Sequence, residues 1–264
     1  MILKCTDEHE TILINFLKKE RIYNTFILAD ISYYGFNNEF QKIYMDLDEN
    51  NKCCFVYLIF HNNLIISGNQ KNINLTFILK TFEHNIDIIM GKSELLLTIK
   101  KVLDTDEYVF SNKKLYVLNN DNKLYSKKIA KVANASDLDS IHTFLNSISE
   151  FNNMYSSKEM INKRLNSNEG NHYILEQDNM IISHANSAAK TLYSCMIGGI
   201  STKKEFRGKN YAKKIVSQIS KDLLEENITP CLFSERDINH SFFKDIGFEL
   251  YGFWGTISLN NKKK

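Results

Sequence analysis

The residues with the clearest chemical potential form the run Glu205-Phe206-Arg207-Gly208-Lys209-Asn210-Tyr211-Ala212, a basic glycine turn that leads into a helical pattern. Backbone N–H groups at the start of a helix have no partner within the helix, and the dipole favours an anion there. Gly208 lets a ligand approach the backbone closely, and Arg207 and Lys209 place positive charge at the mouth of the turn. A phosphate-bearing ligand suits such a device. A surface turn of this composition that merely begins a helix would look the same, so the run alone leaves both readings open.

The surrounding elements narrow the choice. A strand is expected from Leu192 to Ser201, then a helix from about Lys209 to Leu224, a strand from Cys231 to Ser234, a helix ending at Gly247 and a final strand. Upstream, Lys128 to Ala133 reads as a strand. Leu138, Ile141, Leu145 and Ile148 step at helical spacing, and Ser156 with Glu159 could form a capping box for a helix carrying Ile161 and Leu165. Tyr173 to Leu175 and Ile181, Ile182 flank Gln177-Asp178-Asn179 as a hairpin. The order is strand, two helices, three strands, helix, strand, helix, strand.

That order, with Ile197-Gly198-Gly199-Ile200-Ser201-Thr202 before the turn and Asn239-His240-Ser241-Phe242-Phe243-Lys244-Asp245-Ile246-Gly247-Phe248 after it, resembles the GNAT superfamily of acetyl-CoA-dependent N-acetyltransferases. The resemblance covers roughly Lys127 to Leu259. Against the family's Q/R-x-x-G-x-G/A signature, Glu205 stands first, Gly208 at the first glycine and Asn210 at the second. Asn accepts positive φ more readily than most residues, so the loop is expected to survive the change.

The resemblance implies acetyl-CoA as co-substrate, held by Arg207, Gly208, Lys209, Asn210, Tyr211 and Ala212 around the pyrophosphate. It implies Ile200, Ser201 and Thr202 beside the pantetheine arm, with Asn239 reaching that arm or capping its helix. Gly198 and Gly199 would supply a bulge that opens the gap between strands. Many members carry a Tyr four residues before the second motif's glycine to protonate the departing thiolate; Phe243 stands there. The proton-moving candidates are Glu235 and His184 as base toward an amine, and Ser234 as donor to the thiolate. The expected reaction is direct acetyl transfer to a primary amine on a small molecule or peptide, which requires positioning and proton removal alone. A module that binds or senses acyl-CoA with little turnover is the alternative.

The chain has 264 residues, enough for two cores, and the polar Asn119-Asn120-Asp121-Asn122-Lys123 segment suggests domains at 1–122 and 123–264. The first half reads as an α/β domain. Cys53 to Phe60 and Leu64 to Ser67 form strands, Leu75 to Thr81 a helix, Ile86 to Met90 a strand, Gly91 a turn and Ser93 a cap. By the resemblance, a diverged copy without the loop is one reading of that half. A net charge of +2, with 24% charged and 43% hydrophobic residues, points to no nucleic-acid or membrane partner. With five cysteines and no C-x-x-C pair, neither a disulfide framework nor a metal site is expected. The charged N-terminus suggests a cytoplasmic protein. Oligomeric state is open, a homodimer included.

Overall fold

A computed structural model of the chain describes residues 1–82, 86–103, 107–151, 154–235 and 238–259; the side chains at 82 and 238–240 lie outside that description. Its contacts divide into two units. One comprises Met1–Lys114 together with the strand from Gly252 onward, and the other Leu115–Tyr251.

The first unit runs β1 (Ile2–Lys4), α1 (Glu10–Leu17), α2 (Thr25–Tyr34), β2 (Gln41–Leu47), β3 (Cys53–Phe60), β4 (Asn63–Gly68), a 3-10 turn (Gln70–Asn72), α3 (Leu75–Phe82), β5 (Ile88–Lys92), α4 (Ser93–Lys100) and β6 (Tyr108–Val117). The second repeats that order: β7 (Lys131–Val132), α5 (Leu138–Asn146), α6 (Glu159–Leu165), β8 (His172–Gln177), β9 (Met180–Ala188), β10 (Ser194–Thr202), a 3-10 turn (Lys204–Phe206), α7 (Tyr211–Glu225), β11 (Thr229–Ser234), α8 (Ile238–Asp245) and β12 (Glu249–Leu259).

Both units are mixed α/β structures. In the first, β1 through β4 pair antiparallel in sequence, β4 and β5 pair parallel, and α3 makes the crossover that a parallel pair requires. In the second, β7 through β10 are antiparallel, β10 and β11 are parallel, and α7 is the crossover. The closing strands come from unexpected places. Trp254 to Ser258 of β12 pair antiparallel with Lys92 to Ile88 of β5, so the end of the chain completes the first unit. The tail of β6, from Leu115, belongs to the second unit, where Leu118 N–H donates to the Pro230 carbonyl at 3.0 Å.

Apolar periodicity explains the packing. On α7, Ile215, Val216, Ile219 and Leu223 form one stripe that buries against Cys195, Ile197 and Leu232. On α5, Ile141, Phe144 and Leu145 bury with Ile161, Ile174 and Ile181. In the first unit Phe55, Tyr57, Leu64, Ile66 and Ile89 pack with Leu95, Leu96, Ile99 and Ile257.

Some local expectations differ from the structure. Gly91 lies inside β5 rather than in a turn; a Cβ there would come within 2.8 Å of the Ile66 carbonyl, so close strand approach explains the glycine. Ser93 is the first residue of α4, not its cap. The Ser156–Glu159 box does not form: Lys158 precedes α6, and Ser157 Oγ accepts the Glu159 N–H at 3.1 Å. The strand at Lys128 to Ala133 shortens to Lys131–Val132. No helix among the described residues is long and apolar enough to cross a membrane.

Candidate active site

The site begins where β10 stops behaving as an ordinary strand. Its parallel register with β11 runs from Ser194↔Thr229 to Ile197↔Leu232, while β10 continues to Thr202 and β11 to Ser234. On its other side the register with β9 shifts between Gly198 and Ser201, with Gly199 at φ +57°. A Cβ at Gly199 would lie 2.4 Å from Asn186 Oδ1. The glycine pair therefore forms a bulge, and only glycine fits at its second position.

Beyond the bulge the backbone is tied to β9. Ser183 Oγ donates to the Ser201 carbonyl at 2.9 Å; because that uses its only proton, the Thr202 hydroxyl donates to Ser183 at 2.8 Å. Ser201 and Thr202 are buried, and Ile200 is half-buried.

The turn into α7 uses two left-handed residues, Gly208 at φ +82° and Asn210 at φ 60°, ψ 20°. Around Gly208 nothing lies within 4 Å of where a Cβ would sit, so its backbone is open to approach. The Asn210 carbonyl accepts the first helical bond from Lys214 N at 3.0 Å, but its side chain makes no cap. The first turn of this 15-residue helix holds no acidic residue, and Lys213 and Lys214 stand there instead. Cations at the positive end of a helix dipole are unfavourable by themselves, and here Asp245 Oδ2 pairs with Lys213 Nζ at 2.7 Å. An anion bound at that end reverses the sign.

Arg207 is tied to its neighbours: Nε donates to the Thr202 carbonyl at 2.9 Å and Nη2 pairs with Glu150 Oε1 at 2.9 Å. Lys209 Nζ rests 5.6 Å from the Phe206 ring centre. Tyr211 and Ala212 occupy the first turn of α7. The structure thus brings together Ile200, Ser201, Thr202 and the 207–212 run at one end of β10.

The proton-moving candidates are placed less uniformly. Ser234 is buried at the end of β11, and Glu235 is exposed just after it. His184 is fully buried on β9, its Nδ1 donating to the Gly199 carbonyl at 2.8 Å and its Nε2 2.8 Å from His172 Nδ1. Asn239 lies in α8 with its side chain outside the described residues. Phe243 is buried in the core, 5.7 Å from the Tyr116 ring. Sequence reasoning did not single out Arg164, His172 or Glu150, which reach the site only through tertiary contacts.

Comparisons with known proteins bear on the family and the fold. A model of the GNAT acetyltransferase family matches residues 21–256, so the likeness extends into the first half, beyond the C-terminal stretch that the motifs mark. Among solved structures, a Drosophila melanogaster protein is 10% identical with a TM-score of 0.69, covering 98% of each chain. A GNAT-family acetyltransferase from Colwellia psychrerythraea is 13% identical with a TM-score of 0.57, covering 98% of this chain and 99% of its own. A tandem GNAT protein from the clavulanic acid biosynthesis pathway is 8% identical with a TM-score of 0.58, covering 98% and 95%. At such identities these structures speak to the fold alone. No curated protein sequence matches. The family match over most of the chain, on a fold shared with GNAT structures, establishes that this protein belongs to the GNAT acetyltransferase family.

Proposed function

We propose that the second unit binds acetyl-CoA and transfers its acetyl group directly to a primary amine on a small molecule or peptide. The observation that carries this reading is the uncapped N-terminus of α7, entered through Gly208 and Asn210 in left-handed conformations and with no acidic residue in its first turn. Backbone N–H groups of the 208–212 run would hold the pyrophosphate, with Arg207 and Lys209 adding positive charge at the mouth. The ends of Ile200, Ser201 and Thr202 would pair with the pantetheine arm where β10 leaves β11, with Asn239 as a further contact. The bound thioester supplies an activated acyl group; the protein orients it and moves protons.

Glu235 is our candidate to take the amine proton, directly or through water, because it is exposed beside the end of β11. Ser234 would donate to the thiolate. His184 has both ring nitrogens engaged, and we assign it a different role below. The repeated element order supports reading the first unit as a diverged copy without the phosphate loop. We place the activity in the cytoplasm.

One observation favours the alternative of a binding or sensing module: Phe243, where many family members carry the acid, is a core residue without a proton to give. Calorimetric titration with acetyl-CoA, followed by CoA release with a panel of amines, separates the readings. Binding with turnover supports the transferase, binding without turnover the sensor, and no binding removes both.

A further inference from the structure

Strand β9 carries an unusual polar content for a strand between two neighbours: Ser183, His184, Asn186 and Ser187 are all buried. Buried polar groups destabilise a fold unless their donors and acceptors are matched. At the histidines one proton assignment satisfies every contact. The Gly199 carbonyl can only accept, so the His184 Nδ1 that lies 2.8 Å away carries the proton. A neutral imidazole has a single N–H, so His184 Nε2 accepts, and His172 Nδ1 at 2.8 Å donates. His172 Nε2 is then an acceptor, and Arg164, which has only donors, approaches it with Nη1 at 3.4 Å. Neutral rings fit the surroundings: burial first, and the nearby Arg164 charge as well, push both histidines well below their ordinary pKa.

The donors therefore run in one direction, from a guanidinium through two imidazoles to a backbone carbonyl, and each link polarises the next. They end at the bulge itself. Gly199 stands at φ +57°, and a Cβ there would be 3.0 Å from His184 Cε1, so the glycine leaves room for the ring. Among the described residues every peptide is trans, so turning the Gly199 carbonyl toward His184 turns the Ile200 N–H of the same peptide away from it.

We infer that Arg164, His172 and His184 are positioning residues that lock the Gly199–Ile200 peptide and thereby the edge of β10 offered to the pantetheine arm. The inference rests on the acyl-CoA reading above for its consequence, but not for its geometry. The residues come from α6, β8 and β9.

The test compares His184→Leu with His184→Asn in the full chain, reading amide hydrogen exchange at residues 198–202 and the acetyl-CoA Kd. Leu removes the bond to Gly199, whereas the Asn carboxamide can donate from near the Nδ1 position. We expect His184→Leu to speed exchange and weaken binding by roughly tenfold each, the equivalent of one buried hydrogen bond. His184→Asn should recover most of both. Exchange and affinity in His184→Leu that match the wild type would overturn the inference, as would equal damage in the two variants. If His184→Leu does not fold, Arg164→Met tests the far end, where unchanged exchange at 198–202 counts against the relay. A wild type that binds no acetyl-CoA removes the cofactor reading and leaves the exchange data to decide the relay.

Discussion

The two units arrive at the same point in their element order, the turn between their parallel strands, and build it differently. In the first, Ile73 and Asn74 alone separate the 3-10 turn from α3. Asn74 Oδ1 accepts the Phe77 N–H at 3.0 Å, and the Asn74 N–H donates to the Tyr57 hydroxyl at 3.2 Å. In the second, Arg207 to Asn210 fill the same interval, and Asn210, turned left-handed, makes no side-chain cap. A helix end satisfied by its own side chain has fewer donors left for a ligand. One topology thus gives a helix end capped by its own side chain in one unit and an uncapped one in the other.

The contrast can be broken from several directions. The largest effect is expected at Gly199→Ala, where a positive φ and contact with Asn186 coincide; it should cost about 2–4 kcal/mol of stability by denaturant unfolding. Gly208→Val finds open space for its side chain but strains the backbone at φ +82°, so it should cost about 1–3 kcal/mol of stability and weaken acetyl-CoA by roughly a hundredfold. Unchanged calorimetric affinity would sever the loop from the cofactor. At Asn210, Ala should weaken binding by about five- to tenfold while Gly holds it near wild type, since only Ala resists the left-handed region.

In the first unit, Asn74→Ala should cost about 1 kcal/mol of stability as a lost cap and leave acetyl-CoA affinity unchanged. A loss of affinity there would show that the capped end also serves the ligand. The smallest effect concerns the thiols, buried at Cys5 in the first unit and at Cys195 and Cys231 in the second, and half-buried at Cys53 and Cys54. Burial pushes Cys5 and Cys53 in the first unit and Cys195 in the second up to about 12. With the pKa raised and the side chains buried, Cys5 and Cys195 hold little thiolate at pH 8, and their labelling should wait for unfolding. Rapid alkylation of Cys5 or Cys195 in the native protein, located by mass spectrometry, would contradict their burial.

Much of the second unit was legible because its signals are local. The apolar stripe of α7, the β10 and β11 runs and the Arg207-Gly208-Lys209-Asn210 turn each carry their pattern within a few residues. The first unit was harder. The alternation that buries Gln41, Ile43 and Met45 in β2 was present but unread, and α2, apolar over most of its length, showed no clear stripe. Gly91 was misjudged because a glycine that admits a neighbouring strand has the same sequence signature as one that turns the chain.

By itself the sequence determined the turn, its charge and the left-handed Asn210, because steric limits on φ and the orphan N–H groups of a helix end act over a handful of adjacent atoms. Only the tertiary structure decided that β12 closes the first unit, that Arg207 pairs with Glu150 and that His184 grips the Gly199 carbonyl. Those contacts join residues far apart in the chain, and a pairing set by folded distance leaves no periodic trace in the order of the residues.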